Sequence, residues 1–373
     1  MGRSDYLRQL SIINNLKKKK NINLKVIITG SHSSKIYGET IKDIQKNKIP
    51  YENCCPKKYY LSGEEISKNI KNCVSRIESS FIKKCPDILV LFGDRYEVLA
   101  GLIAAFGKKI LLVHVHGGSV TQGSFDDQVR HAITKMSHIH LTPIKEYADR
   151  IHQMGEEKYR IKIVGSPGLD YIKKYSSNLR SKLIKNFLSK KEKKFVLVCF
   201  HSETNNLKGL KKQLKILGET INNIRHKIII TYPNSDPGSK DIINYFKKIT
   251  KENQKKILLI QSADLDYYYL MKKCEYILGN SSSGIVEAAS FGKSVINLGS
   301  RQNGKLIPSN VINCKFNNYL INKAITKIEN ENYKKKINRI NPYGNGNSGK
   351  IIGNYLSKLK IKEKFFQKKF ITK

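Results

Sequence analysis

The stretch GNSSSG, residues 279–284, has the composition of an anion-binding loop. Small residues let backbone N–H groups approach an anion closely, and the helix predicted to follow them favours negative charge at its start. Ser281 and Ser282 could donate hydroxyls to phosphate oxygens, and Glu287 could accept hydrogen bonds from a ribose. An ordinary serine N-cap would use the same residues. Arg301, further along the chain, can bind phosphate and therefore favours the anion site.

Two further groups could perform acid–base chemistry. Asp94 could act as a general acid or base, and Arg95 beside it offers a phosphate-binding fork. A helix N-cap is the alternative role for this pair. Asp126 and Arg130 are four residues apart and share one face of a predicted helix. They form either a salt bridge worth ~0.3–0.5 kcal/mol or a catalytic carboxylate held in orientation by its arginine.

Two other patterns are set aside. His131, His138 and His140 are divided between a predicted helix and a predicted strand, so we expect no metal ion and no other cofactor. The stretch GNGNSGK, residues 344–350, fits dinucleotide and P-loop patterns, but no strand precedes it and Ile351 replaces the P-loop Ser/Thr. It predicts a turn that opens the last helix.

The polar groups share one position, because each directly follows a predicted strand. Short apolar runs alternate with amphipathic stretches, which is typical of βαβ units around parallel sheets. The predicted strands are 24–29, 87–92, 110–115, 139–142, 160–164, 195–200, 227–232, 256–261, 275–278 and 294–298. Ligands of such sheets bind beyond the carboxyl ends of the strands. Those ends also carry His116, His201, Asn234 and Asp236, so both halves of the chain are expected to build one site.

The length of the chain predicts two α/β domains, since domains average roughly 150 residues and this chain has 373. A polar, lysine-rich stretch separates the two halves. We predict an N-terminal Rossmann-like domain at 1–175, a C-terminal Rossmann-like domain at 193–352 with a cleft between them, and a basic helix or tail at 353–373.

Composition excludes several classes of protein. The net charge is +39, but Lys is spread along the chain beside Asn, Ile and Tyr, which fits an A/T-rich gene better than a nucleic-acid-binding face. Seven scattered cysteines without a C-x-x-C pair exclude a disulfide framework and a zinc ribbon. No apolar run approaches the ~20 residues of a membrane helix, and the first residues lack the apolar core of a signal peptide. We therefore expect a cytoplasmic protein.

Four motifs together resemble the UDP-N-acetylglucosamine 2-epimerase family, and in particular its hydrolysing branch, which serves sialic and legionaminic acid biosynthesis. The motifs are GDRYE, HVHGGSVTQGSFDDQVRHAITKMSH, PNSDPG and GNSSSGIVEAASFGKSVINLGSRQNGK. The resemblance implies a glycosyltransferase-B-like fold, a UDP-sugar in the cleft and a homodimer or homotetramer. It also implies that UDP-GlcNAc, or a UDP-diacetamido-trideoxyhexose, is converted by way of a glycal to UDP and the free 2-epimeric sugar.

The resemblance assigns roles position by position. The residues that match catalytic groups are Asp94, Asp126, Arg130 and His201. The residues that match UDP-binding groups are Arg3, Ser281, Ser282, Glu287 and Arg301. To the UDP site we add Arg95, Asn234 and Asp236, because they follow predicted strands.

Three departures from the family pattern affect these expectations. His116 stands where the family has a catalytic glutamate, and Ser119 replaces a second acid. Since histidine can transfer protons near neutral pH, we expect His116 to take over the catalytic role. Met1 directly precedes the motif GRSDY, so the first strand of the N-terminal sheet is expected to be missing. The alternatives are an impaired family member, a sugar transferase of the same fold that uses a UDP-sugar, and a polyanion-binding protein.

Overall fold

The structure is a computed structural model that describes residues 2, 5–35, 39–56, 65–188, 194–263 and 266–371. Its strands are β1 (Val26–Ile28), β2 (Tyr51–Asn53), β3 (Ile88–Phe92), β4 (Leu111–Val115), β5 (Ile139–Thr142), β6 (Ile161–Ile163), β7 (Phe195–Cys199), β8 (Lys227–Thr231), β9 (Ile257–Ile260), β10 (Ile277–Gly279), β11 (Val295–Leu298) and β12 (Val311–Cys314). All the strands predicted from the sequence form, and β2 and β12 are additional.

The α-helices of the described residues connect these strands. They are α1 (Tyr6–Lys17), α2 (Ile41–Lys46), α3 (Ile66–Lys83), α4 (Tyr96–Ala105), α5 (Asp126–Met136), α6 (Lys145–Gln153), α7 (Ile172–Tyr175), α8 (Lys182–Phe187), α9 (Leu210–Asn223), α10 (Ser239–Glu252), α11 (Asp266–Lys273), α12 (Ser282–Val286), α13 (Asn318–Glu329), α14 (Glu331–Lys335) and α15 (Ser348–Lys358). The strand pairs of the described residues are parallel, so the predicted α/β class is confirmed.

The second half of the chain, 194–335, forms what we call the rear lobe. Its six strands make one sheet in the order β12-β11-β10-β7-β8-β9. The central strand β7 is buried at every position. Val196 and Val198 pack against α9 and α10 on one face, and Phe195 and Leu197 pack against α11 on the other. Helices on both faces explain why this strand reads as a continuous apolar run.

The first half, 5–188, forms the front lobe, and its strands make two separate parallel sheets. One has the order β3-β4-β5-β6, and the other is the pair β1-β2. The two sheets share one apolar cluster, to which Ile27, Cys54 and Leu91 belong. That this lobe lacks a first strand stays a prediction.

The last described helix, α15, packs on the front lobe. Ile352 and Leu356 of α15 join Ile12 and Leu16 of α1 in one apolar cluster. The Asp170 carboxylate accepts hydrogen bonds from the first two backbone N–H groups of α15, at 3.0 and 2.6 Å. The stretch 344–347 is a turn before this helix, as the sequence predicts. Residue 352, the predicted end of the C-terminal domain, lies inside α15, whose apolar face packs on the front lobe. The predicted domain bounds stay a prediction.

Candidate active site

A cleft between the two lobes collects the predicted site residues from both. The groups that line it are Asp94, Arg95, His116, Asp126, Arg130, His201, Asn234, Ser281, Ser282, Glu287 and Arg301. Asp236 lies just behind this wall and is 2% exposed. Arg3, predicted to bind UDP, lies outside the described residues. Parallel strands of each lobe end at the cleft, so the general rule for ligand sites in open α/β sheets holds here.

The rear lobe presents the serine-rich loop at the start of the short helix α12. The Ser281 hydroxyl caps this helix by accepting from the Ser283 N–H at 3.4 Å. The Ser282 hydroxyl instead faces the front lobe, where it accepts from Arg8 Nη2 at 3.0 Å. Arg8 Nε also donates to Glu287 at 3.1 Å. The loop is therefore both an N-cap and a cleft wall, and an arginine of α1 connects it to the front lobe.

Besides Arg95, four basic side chains line the cleft: Arg8 of α1, Arg130 of α5, and Arg301 and Lys305 of the loop after β11. Burial, together with the charges of Arg130, Arg301 and Arg8, holds the pKa of Lys305 well below its usual value. Like charges gathered in a partly desolvated cleft stabilise a bound anion strongly. The sequence reasoning missed Arg8 and Lys305. Lys305 ends the segment GSRQNGK, in which only Arg301 was singled out, and no motif marked Arg8.

Arg95 and Asp236 pair with each other, and their predicted role as UDP ligands stays a prediction. Arg95 Nη1 donates to the Asp236 carboxylate, and Arg95 Nε donates to Glu97 at 3.2 Å. Burial opposes the charge of Asp236, but Arg95 and Arg301 hold its pKa below the usual value. The guanidinium fork is thus occupied by two carboxylates, and the pair joins the lobes behind the cleft.

The predicted Asp126–Arg130 pair is wrong, because Arg130 binds other carboxylates. Arg130 Nη2 donates to Asp94 and to the Thr121 hydroxyl, the latter at 3.0 Å. Arg130 Nη1 reaches Asp127 at 3.4 Å. Helical spacing alone put Asp126 near Arg130, but Asp126 is the first residue of α5 and its side chain turns back to the preceding loop. The carboxylate that Arg130 orients is Asp94.

Asp126 is a buried carboxyl group that titrates close to neutral pH. Its Oδ2 accepts from the Ser124 hydroxyl at 2.9 Å, and its Oδ1 has no hydrogen-bond partner among the described residues. Burial and the charge of Asp236 raise the pKa of Asp126 to about 6, although Arg95 and Arg301 act in the opposite direction. A carboxyl group with such a pKa suits general acid–base chemistry.

The catalytic role of His116 stays a prediction, and the surroundings of its ring disfavour the charged imidazolium. Burial, with the nearby charges of Arg8 and Lys305, lowers the pKa of His116 to about 3. The imidazole is therefore neutral near pH 7, and its Nε2 pairs with the Ser166 hydroxyl at 3.2 Å. Its backbone has a φ of +75°, a left-handed conformation that is unusual for a residue with a Cβ atom. Burial and, to a smaller extent, the neighbouring cations cause this low pKa, and neither was visible in the local sequence.

His201 is held in a defined tautomer by the rear lobe. Its Nδ1 accepts a hydrogen bond from the Asn234 backbone N–H at 3.0 Å. The neutral ring therefore carries its proton on Nε2, which makes that atom a donor. Asn280 fixes the backbone of His201, since its side chain bonds both the N–H and the C=O at 2.8 Å. Asn234, predicted to bind UDP, here acts through its main chain.

The cleft geometry can be set beside known proteins. A family model described as UDP-N-acetylglucosamine 2-epimerase matches residues 14–357. The chain belongs to the UDP-N-acetylglucosamine 2-epimerase family. It is 32% identical over 341 residues to the GDP/UDP-N,N'-diacetylbacillosamine 2-epimerase (hydrolyzing) of Campylobacter jejuni, covering 89% of this chain and 86% of that protein. It is 31% identical over 345 residues to the UDP-N,N'-diacetylbacillosamine 2-epimerase (hydrolyzing) of Legionella pneumophila, with coverages of 92% and 90%.

Solved structures of the epimerase family share the fold. The UDP-GlcNAc 2-epimerase of Neisseria meningitidis bound to UDP-GlcNAc gives a TM-score of 0.79 at 22% identity, covering 96% of this chain and 98% of that one. The S. aureus MnaA–UDP structure gives 0.78 at 20% identity, with coverages of 95% and 94%. The predicted glycosyltransferase-B-like fold is confirmed. Within the described ranges, every helix is too short or too polar to cross a bilayer.

Proposed function

We propose that this chain is a hydrolysing UDP-sugar 2-epimerase. It converts UDP-GlcNAc, or a UDP-2,4-diacetamido-trideoxyhexose, to UDP and the free 2-epimeric sugar. One observation carries the proposal: a cluster of four cations suited to a diphosphate opens into the same cleft as the carboxyl groups of Asp94 and Asp126. The names of the Campylobacter and Legionella relatives support the hydrolysing reaction and favour the diacetamido substrate.

The first step is elimination of UDP from the sugar. A carboxylate removes the proton on C2, the C2–H electrons form the C1=C2 double bond, and the C1–O bond breaks with its electron pair on UDP. Asp94, ion-paired with Arg130, is the base. Arg8, Arg301 and Lys305 stabilise the charge that develops on the diphosphate, which is the largest contribution available to such a site.

The second step is addition of water to the glycal. Asp94 first releases the abstracted proton to solvent and is again a carboxylate. The water oxygen then bonds to C1 while a proton is delivered to C2 on the face opposite to the one deprotonated, and the water gives up a proton to Asp94. Asp126, with a pKa of about 6, is the acid that delivers the C2 proton. The negative diphosphate raises this pKa further, because it disfavours a second anion nearby. The products are the epimerised free sugar and UDP.

The proposal is tested by supplying UDP-GlcNAc and UDP-N,N'-diacetylbacillosamine to the enzyme in deuterated water. We expect free sugar that carries one deuterium at C2, together with UDP. A free sugar without deuterium contradicts the elimination. A product that keeps its UDP identifies a non-hydrolysing epimerase, and UDP release that depends on an added acceptor identifies a sugar transferase.

Two predictions accompany this function, namely a homodimer or homotetramer and a cytoplasmic location. Light scattering coupled to size exclusion measures the oligomeric state directly. Fractionation of the source cells measures the location.

A further inference from the structure

One loop of the front lobe docks onto the rear lobe across the cleft. We call it the clasp loop, residues 121–125. The Phe125 N–H donates to the Thr204 hydroxyl at 3.0 Å, and Asn205 Nδ2 donates to the Gln122 carbonyl at 2.8 Å. The approach is close, since a Cβ atom on Gly123 would lie 2.5 Å from the Arg301 Cα. The clasp loop therefore forms part of the contact between the two lobes.

A relay of hydroxyl groups runs from the rear lobe through the clasp loop to Asp126. The Thr204 hydroxyl donates to the Ser124 hydroxyl at 3.3 Å. The Ser124 hydroxyl in turn donates to Asp126 Oδ2 at 2.9 Å and accepts from the Asp126 backbone N–H at 3.3 Å. Ser124 is 1% exposed, so the relay is shielded from water. Because Thr204 belongs to the rear lobe, the relay depends on the contact between the two lobes.

The relay determines which oxygen of Asp126 is available for chemistry. Oδ2 is occupied by Ser124, whereas Oδ1 has no partner among the described residues. A carboxyl group held at one oxygen in this way presents the other in a fixed direction. Fixed direction matters because a displacement of about 1 Å at a reacting group can cost ~100-fold in rate.

We propose that Thr204 is a positioning residue of the rear lobe, which acts through Ser124 to orient the Asp126 carboxyl group when the lobes close. The proposal rests on the proposed function, in which Asp126 delivers the C2 proton. It assigns Thr204 no contact with the substrate. Closure of the lobes would then have two effects: it encloses the UDP-sugar, and it orients the carboxyl group of Asp126.

The relay also affects the titration of Asp126. The charged groups facing this carboxyl are Asp236 of the rear lobe, which raises its pKa, and Arg95 and Arg301, which lower it. The Ser124 hydrogen bond lowers the pKa as well, since it is made to the ionised oxygen. A hydroxyl that itself accepts a hydrogen bond is a stronger donor. Loss of the Thr204 hydroxyl should therefore weaken the Ser124 bond and raise the pKa of Asp126.

The experiment compares Thr204→Val, Thr204→Ser and Asn205→Ala. Thr204→Val removes the hydroxyl at nearly constant volume. We expect its kcat to fall about 10-fold or more. The loss of kcat that accompanies deprotonation of Asp126 should move to higher pH. Thr204→Ser keeps the hydroxyl and should restore both. Asn205→Ala is the matched control, because it removes another bond of the clasp loop but leaves the relay intact. It should raise KM only modestly and leave the pH profile in place.

Several results would overturn the relay. One is a kcat of Thr204→Ser as low as that of Thr204→Val. Another is a pH profile of Asn205→Ala that is shifted like that of Thr204→Val. The third is a pH profile of Thr204→Val that matches the wild type. Should Thr204→Val unfold, as thermal melting would reveal, Ser124→Ala replaces it and must produce the same shift. An enzyme that turns over no UDP-sugar refutes the proposed function instead. The relay is then judged by ¹³C-carboxyl NMR with UDP bound, the Asp126 signal being assigned through its loss in Asp126→Asn. The relay is refuted when the titration midpoint of the Asp126 signal is the same in the wild type and in Thr204→Val.

Discussion

The two lobes contribute different kinds of groups to the cleft. The rear lobe offers His201, whose ring Asn234 holds in one tautomer and whose backbone Asn280 fixes. It also offers the Ser282 hydroxyl, which is bound by Arg8 of the front lobe. The front lobe offers two carboxyl groups with different surroundings, since Arg130 binds Asp94 and burial raises the pKa of Asp126. The carboxyl groups that the proposed proton transfers require therefore come from the front lobe.

The two lobes also differ in their β-sheets. The rear lobe has one continuous six-stranded sheet, whereas the front lobe divides its strands between two sheets. The front lobe also buries a charged cluster away from the cleft. Burial opposes the charge of Glu156, but hydrogen bonds from His140, Lys368 and Lys135 lower its pKa to about 2. Through Lys368, this cluster connects the C-terminal segment to the front lobe.

The largest expected effect comes from breaking the chemistry of the front lobe while leaving binding intact. Asp94→Asn should lower kcat at least ~100-fold, because the group that removes the C2 proton is lost. The affinity for UDP, measured by calorimetry, should change little. Asp149→Asn is the control, since Asp149 is an exposed carboxylate of the same lobe paired with Lys145. Unchanged turnover in Asp94→Asn would remove Asp94 from the mechanism.

The next effect comes from weakening the binding surface of the rear lobe. Lys305→Met should raise the Kd for UDP about 10- to 100-fold, the range for a charge-assisted hydrogen bond in a desolvated site. The fall of kcat/KM with rising pH should remain, because it is assigned to Asp126 of the front lobe. Lys315→Met, at an exposed lysine of the rear lobe, should bind UDP normally. A Lys305→Met variant with wild-type affinity would exclude Lys305 from the diphosphate site.

The smallest and most specific effect concerns pH. Asp126 has a raised pKa of about 6 and must be protonated to act as the acid, so kcat/KM should fall as pH rises above about 6. The limb in kcat should lie at higher pH, because the bound diphosphate raises the pKa further. Initial rates between pH 5 and 9 measure both limbs. If the rate instead falls only as the pH is lowered, Asp126 acts as a base, and the roles of Asp94 and Asp126 are reversed.

Local patterns predicted the fold and part of the site well. Apolar runs located the main strands, and the residues after them, such as Asp94, Ser282 and His201, do line the cleft. The two missed strands, β2 and β12, lie at sheet edges, and their residues are only half-buried or exposed. A strand that is not buried on both faces has no continuous apolar run to reveal it.

Local sequence patterns were enough to predict the parallel α/β lobes, the serine-rich loop and the acids at the strand ends. These features depend on neighbours within a few residues. Only the tertiary structure decided that Arg130 orients Asp94 and not Asp126, that Arg95 pairs with Asp236, and that Arg8 and Lys305 join the cleft. It likewise decided that His116 is neutral, with its pKa lowered to about 3. Charges interact through space, and their partners come from residues far away in the chain, which no local pattern records.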